Sequence, residues 1–510
     1  MTILIKNIRA LSLRPSGEFS LDQRDILIEG DAIARVEPRI TIQADRVIDG
    51  ADKLAVPGFV NAHLHSSEAH LRGRYGSRPL EMWSLDVFPL RSRTIHRNPD
   101  PRFVYLRCMV AGIEALKNGA TQILDDVIQR VNPTYELYEA AFRAYADLGI
   151  RAAVGASFVN RNFCDHFPYF EDILPAELSA EIRSAPPQIP VDDYLGLCDQ
   201  LARNFNGAAG GRLQFVVAPS APMRCTDELL TKTKEFARQR RLPYSIHALE
   251  TQVQYVTGQQ QYGESFIQYL DRLGALDDRT IIAHAIWIDD RDIEILAKRG
   301  CSISHNAVTN LRMASGIAPW RKLRSAGVNL CLGTDSLSGN DSARLFDVIR
   351  VAGLIHCIAD PNYESAPQAG ELLWAATGGG AHALGMSDRT GTIAPGKKGD
   401  LVLFDLTTAP FTPLNDVCNQ LVYAENGSSI SHVIVGGEIV VEDGVCRKID
   451  EKAILAEFRA RCAEVLPEHI AAEEDSALFR PYMREVYRRC FGQTPLMGRF
   501  AASHSAGQGK

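Results

Sequence analysis

Two histidines one residue apart, His63 and His65, follow the apolar run Leu54-Ala55-Val56-Pro57-Gly58-Phe59-Val60. In a β-strand alternate side chains share a face, so both imidazoles point to one place at the strand's carboxyl end. That arrangement can grip a metal ion, although an isolated H-x-H pair is weak evidence. Four further strand-like runs end on side chains that can bind metal or carry protons: His247, His284, His305 and Asp335. His247 taken alone reads more readily as a core histidine, and Asp335 as a helix N-cap. Taken together, His63, His65, His247 and Asp335 make an N,N,N,O set suited to one divalent ion, Zn²⁺ first and Fe²⁺ second. Such an ion lowers the pKa of its water from about 15.7 toward 7. Glu250, three residues after His247, reaches over that set and can move a proton between water and substrate; its bland alternative is a helix-terminus carboxylate. His284 ends its strand in the same direction and can polarise an oxygen.

These residues need a frame that brings strand ends together. Eight β-like runs, near 55–62, 119–126, 149–157, 212–218, 242–247, 280–284, 300–305 and 328–335, alternate with helical segments. That repeat predicts an α/β fold, a closed (β/α)8 TIM-like barrel with its site at the carboxyl ends of the strands. Short β runs at both ends of the chain, including 25–31 and 432–441, are each too few to stand alone. The expectation is one small β-sandwich domain built from both termini. The resulting division is 1–54 and 389–449 for that domain, 55–388 for the barrel, and 450–510 for a helical extension with a polar tail. The extension reads as helices over 451–466 and 472–489, serving either oligomerisation or packing on the barrel. Residues 158–190, rich in aromatics and prolines, read as a lid over the site.

Composition narrows the function classes. The chain has 510 residues, 45% of them hydrophobic and 23% charged, the balance of a soluble globular protein. A net charge of −7 argues against a nucleic-acid partner. Eleven scattered cysteines without a C-x-x-C pair read as free thiols. The start of the chain has no signal-like segment, and no long apolar run suggests a membrane span. The expected setting is cytoplasmic, with a small-molecule substrate and a homodimer as the base-rate assembly.

The motifs also carry a family resemblance. Pro57-Gly58-Phe59-Val60-Asn61-Ala62-His63-Leu64-His65, Arg72-Gly73 with Trp83 downstream, His247-x-x-Glu250, His284, His305-Asn306 with Asn310-Leu311, Leu332-Gly333-Thr334-Asp335-Ser336 and the return Gly391-Thr392-Ile393-Ala394-Pro395-Gly396 all contribute. Over residues 1 to about 445 the chain resembles the amidohydrolase superfamily, in the branch of atrazine chlorohydrolase and the S-adenosylhomocysteine, guanine and cytosine deaminases. The resemblance implies that His63, His65, His247 and Asp335 hold one metal ion. It further implies that Glu250 protonates the ring nitrogen or leaving group, that His284 orients the attacking oxygen, and that Asp335 accepts the water's proton. Glu68, Arg72, Trp83 and His305 are the candidate substrate-binding residues. No lysine ends the run Gln214-Phe215-Val216-Val217-Ala218, which favours a single ion over two. Ser220 stands where relatives acting on adenosine-type substrates resemble histidine, which argues against a nucleoside. The expected reaction is hydrolytic deamination of an amino-substituted N-heterocycle. Amide, urea or carbamate hydrolysis or dechlorination on the same site is the alternative, and a non-catalytic scaffold the remote one.

Overall fold

The computed structural model describes residues 1–90, 99–129, 133–360, 362–493 and 499. Both chain ends feed one sheet of nine strands. Lys53–Pro57 pairs antiparallel with Leu401–Asp405, Leu54 opposite Phe404, and the long first strand Thr2–Leu13 pairs with Lys53–Pro57, Arg46–Asp49 and Phe19–Glu29. The period of two sorts the side chains. Leu401 and Leu403 join Ile3, Ile5, Ile26, Ile28 and Ile434 in the sheet's own core, while Val402 and Phe404 belong to the barrel's core with Leu54, Val56 and Phe59. The sheet is therefore anchored to the barrel through alternate residues of the same strands.

The apolar run expected as one strand near 55–62 is two. Pro57 and Gly58 separate Lys53–Pro57, in the terminal sheet, from Phe59–His65, the first barrel strand. Parallel strands follow at Ala120–Ile128, Arg151–Phe158, Leu213–Pro219, Tyr244–Ala248, Thr280–His284, Ser302–His305 and Asn329–Leu332, each hydrogen-bonded to its predecessor. The eighth strand breaks at Gly333-Thr334 and resumes as Asp335–Ser336, which pairs with Leu64 and His65 of the first. That pairing closes the ring. Asn61 locks the seam, accepting from the Thr334 amide at 3.0 Å and donating to Thr334 Oγ1 at 2.7 Å. Glycine is required at 333, because a Cβ there would lie 2.7 Å from His63 Cβ and 2.6 Å from Asn306 Oδ1.

The carboxyl-terminal extension packs on its own chain. Helix Glu451–Ser476 runs through Pro467 without a break and lies along helix Pro101–Lys117, with Phe458 stacked on Phe103 and Lys117 paired to Glu451 at 2.8 Å. Helix Arg480–Phe491 places Met483, Val486 and Cys490 in a cluster with Phe479, Val253, Val256, Leu85 and, from the insertion, Cys164, Phe167, Phe170 and Ile182. The insertion thus packs sideways onto the extension. The polar tail expected at the end of the chain lies outside the described residues, apart from Arg499. Phe479 is fully buried, so Phe479→Ala is expected to cost about 3–5 kcal/mol. Chemical unfolding would measure this, and a loss below about 1 kcal/mol would mean that the helix contributes little to the fold.

Candidate active site

At the carboxyl ends of the barrel strands, His63, His65, His247, His284 and Asp335 converge. Asp335 Oδ1 lies 3.4 Å from Nε2 of His63 and 3.4 Å from Nε2 of His65, and the Nε2 atoms of His65 and His247 are 3.2 Å apart. His65 Nδ1 donates to the Asp126 carbonyl at 2.8 Å, and His247 Nδ1 donates to the Ser220 carbonyl at 2.7 Å. A carbonyl only accepts, so both rings carry a proton on Nδ1 and turn Nε2 toward each other. Two ring nitrogens 3.2 Å apart need a positive charge between them, a proton or a metal ion. His63 is fully buried, and neither of its ring nitrogens has a hydrogen-bond partner among the described residues. The separations match the edge of a tetrahedron around an ion at about 2.0–2.1 Å from its ligands, which is about 3.3 Å. His63, His65 and His247 form one metal-competent cluster; His63, His284 and Asp335 form another that shares His63. The donor set fits a divalent metal ion.

Electrostatics agree with the geometry. Burial holds the His63 imidazolium down to about 4, and burial with the neighbouring imidazoles holds His247 well below the usual histidine range, so both offer lone pairs at neutral pH. His65 moves the other way, to about 9: burial lowers it, but Asp335, Asp126 and Glu68 together outweigh burial. The pocket is negative where the lone pairs meet. Burial would raise the Asp335 carboxyl, yet the His63 ring 3.4 Å away and the neighbouring His284 and His65 hold it below the usual carboxylate range.

Backbone conformation aims these groups. Asp335 has φ +63° and His284 φ +78°, left-handed values that a non-glycine residue adopts at a cost. The neighbours enforce them. The carbonyl of Thr334 accepts from Asn340 Nδ2 at 2.7 Å and Thr309 Oγ1 at 3.2 Å, beside the Asn61 bonds already described. Asn310 Oδ1 accepts from His284 Nδ1 at 2.9 Å, which turns His284 Nε2 toward Glu250 Oε2 at 3.5 Å and Asp335 Oδ2 at 3.8 Å. Glu250 is buried, and burial pushes its carboxyl up although His284 and Arg224 pull it down. It can therefore hold a proton where an exposed glutamate would not.

The cleft in front of these groups is lined by His65, Glu68, Trp83, Arg224, Glu250 and Asp335, among others, with Leu80, Phe88, Ile128 and Met313 as apolar walls. Glu68 fits its expected place on the wall. Ser336 Oγ donates to it, Ser338 Oγ donates to Oε2 at 2.9 Å, and Oε1 has no partner among the described residues. Trp83 sits on helix Leu80–Val87 with its indole nitrogen toward the Ser338 carbonyl at 3.4 Å.

Two expected substrate contacts lie elsewhere. Arg72 turns outward to an ion pair with Glu114 at 2.6 Å, since a guanidinium one residue beyond the buried turn Ser66–Leu71 reaches solvent more readily than the barrel mouth. His305 points behind the barrel, where its ring meets His356, Nε2 to Nε2 at 3.3 Å, and packs against Trp320. Helix Leu345–Ala359, which brings His356, fills the space that would have exposed it. The insertion at 158–190 contributes no residue to the cleft lining; Leu80, Trp83 and Phe88 cover the site instead. Sequence reasoning missed Arg224, Gln254 and Glu81. Gln254 Oε1 accepts from the Glu250 amide at 3.0 Å, and the buried Glu81, with its carboxyl raised to about 7 by burial, accepts from Thr251 Oγ1 at 2.5 Å. Nothing in the local sequence around Glu81 marked it as a site residue.

Known proteins show the same organisation. The chain is 30% identical to a 5'-deoxyadenosine deaminase of Methanosarcina mazei over 91% of its length and 98% of that protein. It is 29% identical to a 5-methylthioadenosine/S-adenosylhomocysteine deaminase of Desulforamulus reducens over 91% of its length and 99% of that protein. Among solved structures it resembles an adenosine deaminase from Xanthomonas campestris with bound zinc (TM-score 0.78, 27% identity, 91% of this chain and 99% of that one). It also resembles atrazine chlorohydrolase from Arthrobacter aurescens TC1 complexed with zinc (TM-score 0.80, 26% identity, 90% of this chain and 100% of that one). The Amidohydrolase family profile matches residues 54–440. That span runs from Lys53–Pro57, before the first barrel strand, to Glu438–Glu442 in the terminal sheet, so it takes in the whole barrel: the chain belongs to the amidohydrolase family and is one of its metal-dependent hydrolases.

Proposed function

We propose that this enzyme hydrolytically deaminates an amino-substituted N-heterocycle, with one zinc ion held by His63, His65, His247 and Asp335. The observation that carries the reading is Glu250. A buried carboxyl, raised by burial, faces the cleft 3.5 Å from His284 and beside the converged imidazoles. A bound zinc ion supplies an acidified water at neutral pH as the nucleophile. Asp335, deprotonated and 3.8 Å from His284, takes up the proton that the water loses. Glu250 delivers a proton to a ring nitrogen, so that the attacked carbon accepts electrons; the proton taken up by Asp335 then passes to the leaving amine, which departs as ammonia, and the proton of the new hydroxyl returns to Glu250. His284, its tautomer fixed by Asn310, donates or accepts at the oxygen that becomes the ring carbonyl. Trp83 and Phe88 offer faces for a flat ring, and the apolar wall excludes competing water. The names of the deaminases to which the chain is similar support the same reaction.

Among the described residues no helix is long and apolar enough to cross a membrane. The eleven cysteines are all free, which supports a reducing, cytoplasmic setting.

The test is metal analysis joined to an ammonia-release screen over aminopurines, aminopyrimidines, pterins and aminotriazines. One equivalent of zinc and ammonia from a member of the panel is the expected result. Stripping the ion with a chelator is expected to abolish turnover, with zinc restoring it; full turnover by metal-free protein would sink the reading. Metal without ammonia would move the reaction to amide, carbamate or halide hydrolysis.

A further inference from the structure

One cation in the cleft has no ionic partner among the described residues. Arg224 ends the turn Pro222–Arg224 that follows the fourth barrel strand, and its guanidinium lines the cleft with His247, Glu250 and Gln254. Its side chain makes one hydrogen bond, from Nη1 to Ser220 Oγ at 3.2 Å. The other guanidinium donors have no protein acceptor among the described residues, and no carboxylate oxygen there comes within 4.0 Å. Burial lowers its pKa, offset by Glu250 and Glu81 at longer range, and an arginine keeps its charge regardless. The backbone beneath it is fixed. The Arg224 carbonyl accepts from the amides of Asn160 and Arg161 at 3.1 Å each, and the next-but-one residue, Thr226, caps helix Asp227–Arg240. A guanidinium that opens into the cleft with most of its donors unused by the protein is available to pair with a ligand there.

We infer that Arg224 is a specificity-determining residue that pairs with an anionic substituent of the substrate, so that the enzyme acts on aminated heterocycles bearing a carboxylate. The planar fork of guanidinium donors matches a carboxylate in a two-point contact, which Ser220, on the same side, leaves room for. The position also sets the orientation. Arg224 flanks His247 and Glu250, so a ring anchored there by its carboxylate places its amino-bearing carbon over the converged imidazoles and a ring nitrogen toward Glu250. An unsubstituted ring lacks that anchor and leaves the guanidinium unpaired. This inference rests on the deaminase reading for the reaction but not for the binding.

The experiment uses matched pairs with the zinc-loaded full chain: cytosine-5-carboxylate against cytosine, and pterin-6-carboxylate against pterin. Ammonia release gives kcat and KM, and calorimetry with the already deaminated uracil-5-carboxylate and lumazine-6-carboxylate gives binding without turnover. The wild type is expected to prefer the carboxylate in at least one pair by about 100-fold in kcat/KM, and to bind the corresponding deaminated carboxylate more tightly than its parent. Arg224→Met is expected to remove that preference mainly through KM, and to lower kcat/KM for the uncharged member less than about 5-fold; Arg224→Lys is expected to restore part of it. Equal losses for both members of each pair, or no carboxylate preference in any wild-type measurement, would overturn the inference. Carboxylate binding that depends on Arg224 without any ammonia release would uphold it and refute the deaminase reading. Ammonia release indifferent to the carboxylate and to Arg224 would do the reverse.

Discussion

Glu250→Gln is expected to keep its metal and lose at least about a hundredfold in turnover, the usual scale for a lost general acid or base. Glutamine preserves the shape and the amide contact from Glu250 to Gln254, so the fold around it should not move. What disappears is a proton on a carboxyl that burial has already raised. The pH dependence follows with a definite sign. A donor must be protonated, so wild-type kcat/KM should fall as pH rises through the raised Glu250 pKa, and that basic limb should be absent in the variant. Metal content measured beside a pH–rate profile checks both points. Unchanged turnover would remove Glu250 from the reaction.

Asp335→Ala is expected to do the opposite, losing metal and activity together. Its carboxylate lies 3.4 Å from both His63 and His65 and supplies the negative charge that draws a cation to their lone pairs. Even groups that only support a metal ligand typically change affinity by about 10–100-fold, so removing a direct ligand should exceed that range. Alanine also removes the acceptor for the water's proton, so adding excess zinc should not restore turnover. Asp335→Asn, which keeps the shape without the charge, should retain part of the metal and little of the rate. Full metal occupancy in the alanine variant, read by elemental analysis, would mean that Asp335 is not a ligand.

The C-terminal extension explains how the cleft keeps its shape. Arg480 reaches Asp86 at 2.7 Å and Arg74 reaches Glu473 at 2.6 Å, which ties the extension to helix Leu80–Val87 and hence to Trp83. The same cluster of apolar side chains holds Val253 and Val256, on the helix that begins just after Glu250 and Thr251. A sequence reading could see the extension's helices but not choose between a partner and the barrel as their neighbour, because both present the same apolar face. In the structure these ion pairs and the apolar cluster set it against its own chain.

The eight strands and their order were legible in the sequence, because the β period and the βα repeat are local, although most carboxyl ends lie one to three residues from where the sequence put them. A strand that ends on His63-Leu64-His65 must aim two imidazoles the same way whatever lies across the barrel. Rules of that kind identified the metal-competent set and Glu250. Direction beyond a strand's end is not local. His284 and Asp335 take left-handed backbone angles that nothing in their residue types foretells, and Asn310, Asn61 and Asn340 hold them there from other strands and loops. For the same reason His305 and Arg72 looked like mouth residues and are not. One side chain's rotation is set by what fills the space beside it: helix Leu345–Ala359 carrying His356 behind His305, and Glu114 outside Arg72. Arg224 is the converse, an unremarkable arginine in the sequence that the packed barrel leaves without an ionic partner among the described residues. The chain alone determined which chemical groups stand at the strand ends; the tertiary structure decided which of them face one another, because convergence depends on contacts between residues far apart in sequence.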